Sequence, residues 1–258
     1  MEPIPAMMAD ASKKRGYPPG MGEAMAEDQA ASTRELLKSH WLLSHLGDGA
    51  FDRLVGFVRR EKFAANQAIF SRGDPGQSLL AVAKGRVKIS NEGLDGRAVV
   101  FDYIDTGEVF GEIALLDGEG RSADATAVGD TELLVLKRRD LLPLLEREPK
   151  LCLQLLAVLC GRLRRTTEQV EDLLFLVRPA RLAKVLIRLA DEYGTQVEGG
   201  ISIDLELSRR ELGNLTGMTR ESMNRQLTEW RREGLVDVAG GHVIIQRMEA
   251  LERLVSDA

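Results

Sequence analysis

Two short segments hold the side chains most able to do chemistry. The first runs Gly111-Glu112-Ile113-Ala114-Leu115-Leu116-Asp117-Gly118-Glu119-Gly120-Arg121-Ser122-Ala123. It reads as a loop between strands whose glycines let backbone approach a ligand closely. Arg121 beside the Ser122 hydroxyl, with nearby backbone N–H groups, makes a charge-assisted seat for a phosphate. Glu112 supplies an acceptor for sugar hydroxyls. A nucleotide with one negative phosphate and a free 2′-hydroxyl satisfies both groups.

The second segment is Thr219-Arg220-Glu221-Ser222-Met223-Asn224-Arg225. From Ser208 to Arg232 six arginines stand against three glutamates, a local balance of +3 in a chain of net charge -5. An acidic protein carries no general field for nucleic acid, so DNA binding has to come from such a local patch. Arg220, Glu221 and Arg225 share one face of a helix. Arginine reads guanine O6/N7 with two hydrogen bonds, and a glutamate accepts from cytosine N4. Ser208, Arg209 and Thr219 are placed to hold phosphates, which orients a protein on the duplex without reading sequence.

The elements that must position these groups change texture along the chain. Residues 1–31 are rich in Met, Ala, Gly and Pro without a steady period, and read as a disordered tail. Residues 32–61 show helical spacing, with a break at Gly47-Asp48-Gly49. From Phe63 to about Leu136 short apolar alternations separated by turn signals, Asp95-Gly96 among them, argue a β-barrel or sandwich. Asp140–Arg147 reads as a short helix, Pro149 resets the chain, and Leu151–Leu176 reads as one long helix. Along it Leu156, Leu159, Leu163, Thr166, Val170, Leu173 and Val177 step by three and four, a seam for helix pairing that favours a parallel homodimer through Leu163, Val170 and Leu173.

Residues 181–193 form a helix and Ile201–Ile203 part of a hairpin. Ser208 caps one helix, Gly217 turns the chain, Thr219 caps a second, and Gly234 ends it before a hairpin turned at Gly240-Gly241. Helix, tight turn, helix and hairpin make a winged helix-turn-helix.

With these residues in view, the chain resembles the CRP/FNR superfamily of transcription regulators, on the side of the catabolite activators. Residues 63–136 look like a cyclic-nucleotide-binding β-roll, and GEIALLDGEGRSADATA is similar to that family's phosphate-binding cassette. The resemblance covers about residues 36–250. It implies an α+β fold: a jelly-roll-like β-roll with N-terminal helices over 32–148, a dimerisation helix over 149–178, and a winged helix-turn-helix over 179–258. It implies that Gly111 and Glu112 contact the ribose, and that Arg121, Ser122 and the Ala123 N–H hold the cyclic phosphate, with Ile113 and Ala114 in the same wall. Thr166 and Thr167 match a Thr-Ser pair that holds adenine, one within its subunit and one across the dimer. Arg220, Glu221 and Arg225 imply a TGTGA-like half-site. Ser222 and Asn224 lie on the same helix, and Asn224 replaces a common glycine.

The expected ligand is cAMP or cGMP, and the expected partners are double-stranded DNA, a second copy of the chain, and RNA polymerase. The iron–sulfur branch needs several cysteines near the N-terminus, whereas the two cysteines are Cys152 and Cys160. The haem branch needs a ligand within the roll, and no histidine lies between His45 and His242. Metal, haem and cluster are therefore not expected. The cysteines, eight residues apart, are too distant along a helix for a disulfide and read as buried apolar groups in a reducing cytoplasm. No basic-then-apolar leader opens the chain and no apolar run reaches the ~20 residues of a membrane span. A hydrolase using Glu112 lacks a metal cluster or a nucleophile–base pair, so a regulator rather than an enzyme is expected, with a ligand-independent regulator of the same superfamily as the alternative.

Overall fold

A computed structural model describes residues 48–93, 98–205 and 207–258. The tail, the apolar stripe of residues 32–47 and the Asp95-Gly96 turn lie outside them. The chain divides into two units, Met1–Gly56 and Phe57–Ala258. The described residues of the first belong to helix α1 (Asp48–Phe57), whose last residue is counted in the second.

The second unit opens with strands where helical spacing was expected. Strand β1 (Arg59–Phe63) pairs antiparallel with β6 (Asp124–Lys137), Arg59 opposite Val135 and Phe63 opposite Thr131. Helix therefore ends at Phe57, because the backbone of 59–63 is spent on this ladder. Strands β2 (Ala68–Phe70), β3 (Ser78–Glu92), β4 (Ala98–Asp105) and β5 (Val109–Phe110) complete an antiparallel sheet of order β1-β6-β3-β4, with β2 on β6 and β5 on β3. The long strands β3 and β6 carry register shifts at Val82/Lys84 and Lys84/Arg86, which bend them so the sheet rolls on itself. Leu80, Val82, Val87, Ile104, Phe110 and Leu133 fill the roll.

The cassette contains a helix rather than only loop: α2 spans Glu112–Asp117, entered at Gly111 and left at Gly118, both left-handed. Helix α3 (Arg138–Arg147) follows the roll, and α4 (Pro149–Phe175) starts with proline in its first turn, where a missing N–H costs nothing. At ~1.5 Å per residue α4 is about 40 Å long. It buries only Leu151 and Leu155. Leu156, Leu163, Val170, Leu173 and Val177 all stand exposed, so the apolar stripe is not spent within the chain. The cysteines are both free, as their spacing implied, but they are not the buried groups expected: Cys152 is half-buried and Cys160 exposed.

Helices α5 (Arg178–Tyr193), α6 (Arg209–Thr216), α7 (Arg220–Arg232) and α8 (Met248–Ser256) join a four-stranded sheet of order β7-β8-β10-β9. Its strands are β7 (Gly194–Val197), β8 (Gly200–Ile203), β9 (Val236–Ala239) and β10 (His242–Ile245). Leu182, Leu186, Leu212, Met223, Leu227 and Trp230 form its core, joined by Leu251 of α8, a helix the sequence reading did not anticipate. Val100 and Tyr103 of β4 belong to this same core.

Candidate functional site

A cavity of about 250 Å³ opens between the roll and α4. Gly111, Glu112, Ile113, Ala114, Arg121, Ser122, Ala123 and Thr166 line it. Thr167 does not; its hydroxyl donates to the Leu163 carbonyl at 2.9 Å. Eight of the nine residues expected at a nucleotide thus meet around one space, and the ninth is not part of its lining.

The cradle depends on two glycines. Gly111 sits at φ +80°, and a side chain there would fall 2.3 Å from the Arg121 guanidinium. A Cβ on Gly76 would meet the Ala114 methyl at 2.0 Å, so the loop before β3 closes on α2 only because that position is bare. Arg121 is buried, and its Nη1 donates to the carbonyls of Ser78 (3.0 Å) and Gly111 (2.9 Å). Its Nη2 donates to the Ser78 hydroxyl at 2.9 Å, and the guanidinium stacks over Phe70 at 4.2 Å. Burial lowers the Arg121 pKa, with Glu112 and Asp74 pulling the other way. Its Nε has no hydrogen-bond partner among the described residues.

Glu112, the residue expected at a sugar hydroxyl, is 1% exposed. Arg162 of α4 pairs with it through Oε2, whereas Oε1 accepts no hydrogen bond among the described residues. A buried carboxylate with unspent acceptor capacity is costly unless something supplies donors. Arg162 also donates to the Val109 carbonyl. Beside it Arg165 pairs with Asp102 of β4. Burial alone would depress Arg165, but the Asp102 charge and hydrogen bond, with Glu192 and Glu108, raise its pKa overall.

The sequence reading missed both arginines, although Arg162 precedes Thr166 by one helical turn and so shares its face. It also missed the apolar wall of Phe70, Phe101, Ile104 and Phe110, which strand alternation marks only as core. Arg121 is the sole strong cation of the cassette but one of three arginines at the cavity.

The second site is a surface. The Ser208 hydroxyl accepts from Glu211 N–H at 3.2 Å while the Glu211 carboxylate accepts from Ser208 N–H at 2.9 Å, a reciprocal capping box. The Thr219 hydroxyl accepts from Ser222 N–H at 3.2 Å and donates to the Ser222 Oγ at 3.1 Å. Met223, Leu227 and Trp230 anchor α7 in the core. Its opposite face presents Arg220, Glu221, Asn224 and Arg225, all exposed, with Ser222 half-buried. Arg209 is half-buried at the first turn of α6. None of Arg220, Glu221 and Arg225 enters an ion pair with a described residue. Arg231, at the far end of α7, pairs with Asp237 at 2.7 Å.

Comparison with known proteins identifies the domains that contain these residues. Residues 60–148 match the cyclic nucleotide-binding domain family, and residues 180–254 match the Crp-like helix-turn-helix domain family. The chain is 32% identical over 219 residues to a CRP-like cAMP-activated global transcriptional regulator of Mycobacterium tuberculosis, covering 85% of this chain and 98% of that protein. It is 33% identical over 218 residues to a cyclic AMP receptor protein of Thermus thermophilus, covering 84% and 98% respectively. Among solved structures, the c-di-GMP-responsive global regulator CLP of Xanthomonas campestris superposes with a TM-score of 0.70 at 27% identity, covering 78% of this chain and all of that one. No described helix is long and apolar enough to cross a membrane. The chain belongs to the CRP/FNR superfamily of transcription regulators, as the cassette and the helix-turn-helix implied, with a cyclic-nucleotide-binding domain followed by a Crp-like DNA-binding domain.

Proposed function

We propose that this protein is a cytoplasmic homodimer that binds cAMP, and less selectively cGMP, and thereby gains affinity for a TGTGA-like palindrome at which it meets RNA polymerase. One observation carries the ligand reading: a buried carboxylate, Glu112, paired with Arg162 through Oε2 but with no donor to Oε1 among the described residues, faces the same cavity as Arg121 and Ser122. A ribose 2′-hydroxyl donates to Glu112. The phosphate takes the Ser122 hydroxyl, the Ala123 N–H and the free edge of Arg121. Thr166 meets the base from within the subunit, and Thr167 meets the base bound by the partner. Two carboxylates at the cavity, Glu112 and Asp102, are each held by an arginine, which suits binding rather than turnover.

The exposed stripe Leu163, Val170 and Leu173 supports pairing of α4 with a second α4. The DNA reading rests on the unpaired face of α7, with Arg220 and Arg225 on guanines and Glu221 on a cytosine. Ser208, Arg209 and Thr219 take phosphates; the two capping hydroxyls accept backbone N–H groups and keep lone-pair capacity for water or the duplex edge. In a two-fold dimer the half-sites lie about 34–36 Å apart, one helical turn. Nucleotide shifts the population toward the DNA-competent arrangement by its differential affinity for it.

Calorimetric titration of the full chain with cAMP, cGMP and c-di-GMP, with sedimentation of the free protein, tests the reading. It expects binding of cAMP at least as tight as cGMP, weaker c-di-GMP, and a dimer. A chain that binds none of the three, or binds c-di-GMP alone, overturns the ligand assignment.

A further inference from the structure

Strand β4 pairs with β3 as Ile89↔Asp102 and then Ser90↔Val100, leaving Phe101 as an extra residue on β4. A bulge of this kind resets the two-residue alternation of a strand. Its effect here is that Val100 and Tyr103, three residues apart, both enter the winged-helix core, while Phe101, Asp102 and Ile104 line the cavity. One strand thus has one face in the cavity and the other in the DNA-binding domain.

Two polar links reinforce the second face. The Tyr193 hydroxyl, at the end of α5, donates to Asp105 at 2.7 Å. Asp105 is paired in charge with Arg86 of β3, whose guanidinium lies over the Tyr193 ring at 4.4 Å. On the first face Asp102 holds Arg165, and the Phe101 carbonyl accepts from Gln169 at 3.0 Å. The contact is not perfectly satisfied: the Tyr103 hydroxyl is buried without a hydrogen-bond partner among the described residues. An unpaired buried hydroxyl makes docking less favourable than its apolar area implies, which suits a contact that has to rearrange.

We propose that the bulged strand β4, tethered to the winged helix through Arg86, Asp105 and Tyr193, couples the cavity to the DNA-binding domain within one subunit, alongside any route through paired α4 helices. This rests on the reading of the cavity as a cyclic-nucleotide site. Tyr193→Phe keeps the ring over Arg86 and removes the hydroxyl link, so it tests the tether without emptying the core. Asp105→Asn weakens the same link from the strand side.

The experiment is the ratio of DNA affinities with and without saturating cAMP, measured on full-length wild type and both variants with a TGTGA-N6-TCACA duplex. Hydrogen exchange of residues 209–216 with and without cAMP, in the absence of DNA, is the parallel readout. A merely stabilising tether changes protection equally in both conditions; a coupling tether changes the cAMP-induced difference. The expected result is a ratio at least threefold closer to one in Tyr193→Phe, with the exchange difference reduced. If wild type responds to cAMP in both readouts and the variants match or exceed it, the coupling role of β4 is overturned while the nucleotide reading stands. A wild type that does not respond at all overturns both.

Discussion

The cavity and the recognition helix use the same residue types in opposite ways. At the cavity every charge is engaged: Arg121 is tied to Ser78 and Gly111, Arg162 to Glu112, Arg165 to Asp102. Along α7, Arg220, Glu221 and Arg225 stand in solvent with no ion-pair partner among the described residues. A buried charge has to be paired, because desolvation is expensive, whereas an exposed one stays solvated until a partner displaces the water. The cavity is therefore preorganised and sensitive to the loss of any member of its network. The helix surface is tolerant until DNA is present. Fold stability is entangled with ligand binding at the first site and separable from DNA binding at the second.

That contrast is open to breakage, first at its most buried point. Arg162→Ala strands the Glu112 carboxylate and should cost about 3 kcal/mol of folding stability, the low end for a broken buried pair because the Arg162 side chain is 26% exposed. Urea denaturation of Arg162→Ala and of the double variant Arg162→Ala/Glu112→Gln checks this. The double variant should recover most of the loss, and a single variant as stable as wild type would mean that solvent already serves Glu112.

Next comes Arg121→Ala, which should lower cAMP affinity by about 2 kcal/mol, roughly 30-fold. Arg162 and Arg165 at the same cavity limit the loss. Calorimetry reads it directly, and wild-type affinity would remove the phosphate from this side chain. Arg220→Ala should cost about 1.5 kcal/mol of specific DNA affinity, concentrated at one G·C pair, with stability and cAMP affinity unchanged. A loss spread evenly over all duplexes would turn Arg220 into a phosphate contact. Arg209→Ala should do what Arg220→Ala does not: weaken all sequences alike and reduce the salt slope by about one. An unaltered slope would take Arg209 off the backbone.

Much of this was legible in the residues because local rules and tertiary structure agree. Ser208 and Thr219 announce helix starts by their capping chemistry, and Gly217 closes the turn between them at φ +67°. The cassette was legible as a site because its glycines and its Glu/Arg pair lie within one short stretch. What escaped depends on contacts between distant residues. Arg59–Phe63 looks helical until β6 offers it a ladder. The six residues of α2 are too few to show a period, so the segment read as loop. Arg162 is far in sequence from Glu112, and only the packing of α4 on the roll joins them. The bulge at Phe101 is a property of pairing with β3, which no pattern within β4 reveals.

Fluorescence anisotropy of the full-length protein on a TGTGA-N6-TCACA duplex and on a scrambled duplex, each with and without saturating cAMP, addresses the central claim. The account predicts at least a tenfold gain in affinity on cAMP addition for the palindrome, and little gain for the scrambled sequence. Equal affinity for the two duplexes in saturating cAMP, or an affinity for the palindrome that cAMP does not change, would contradict it.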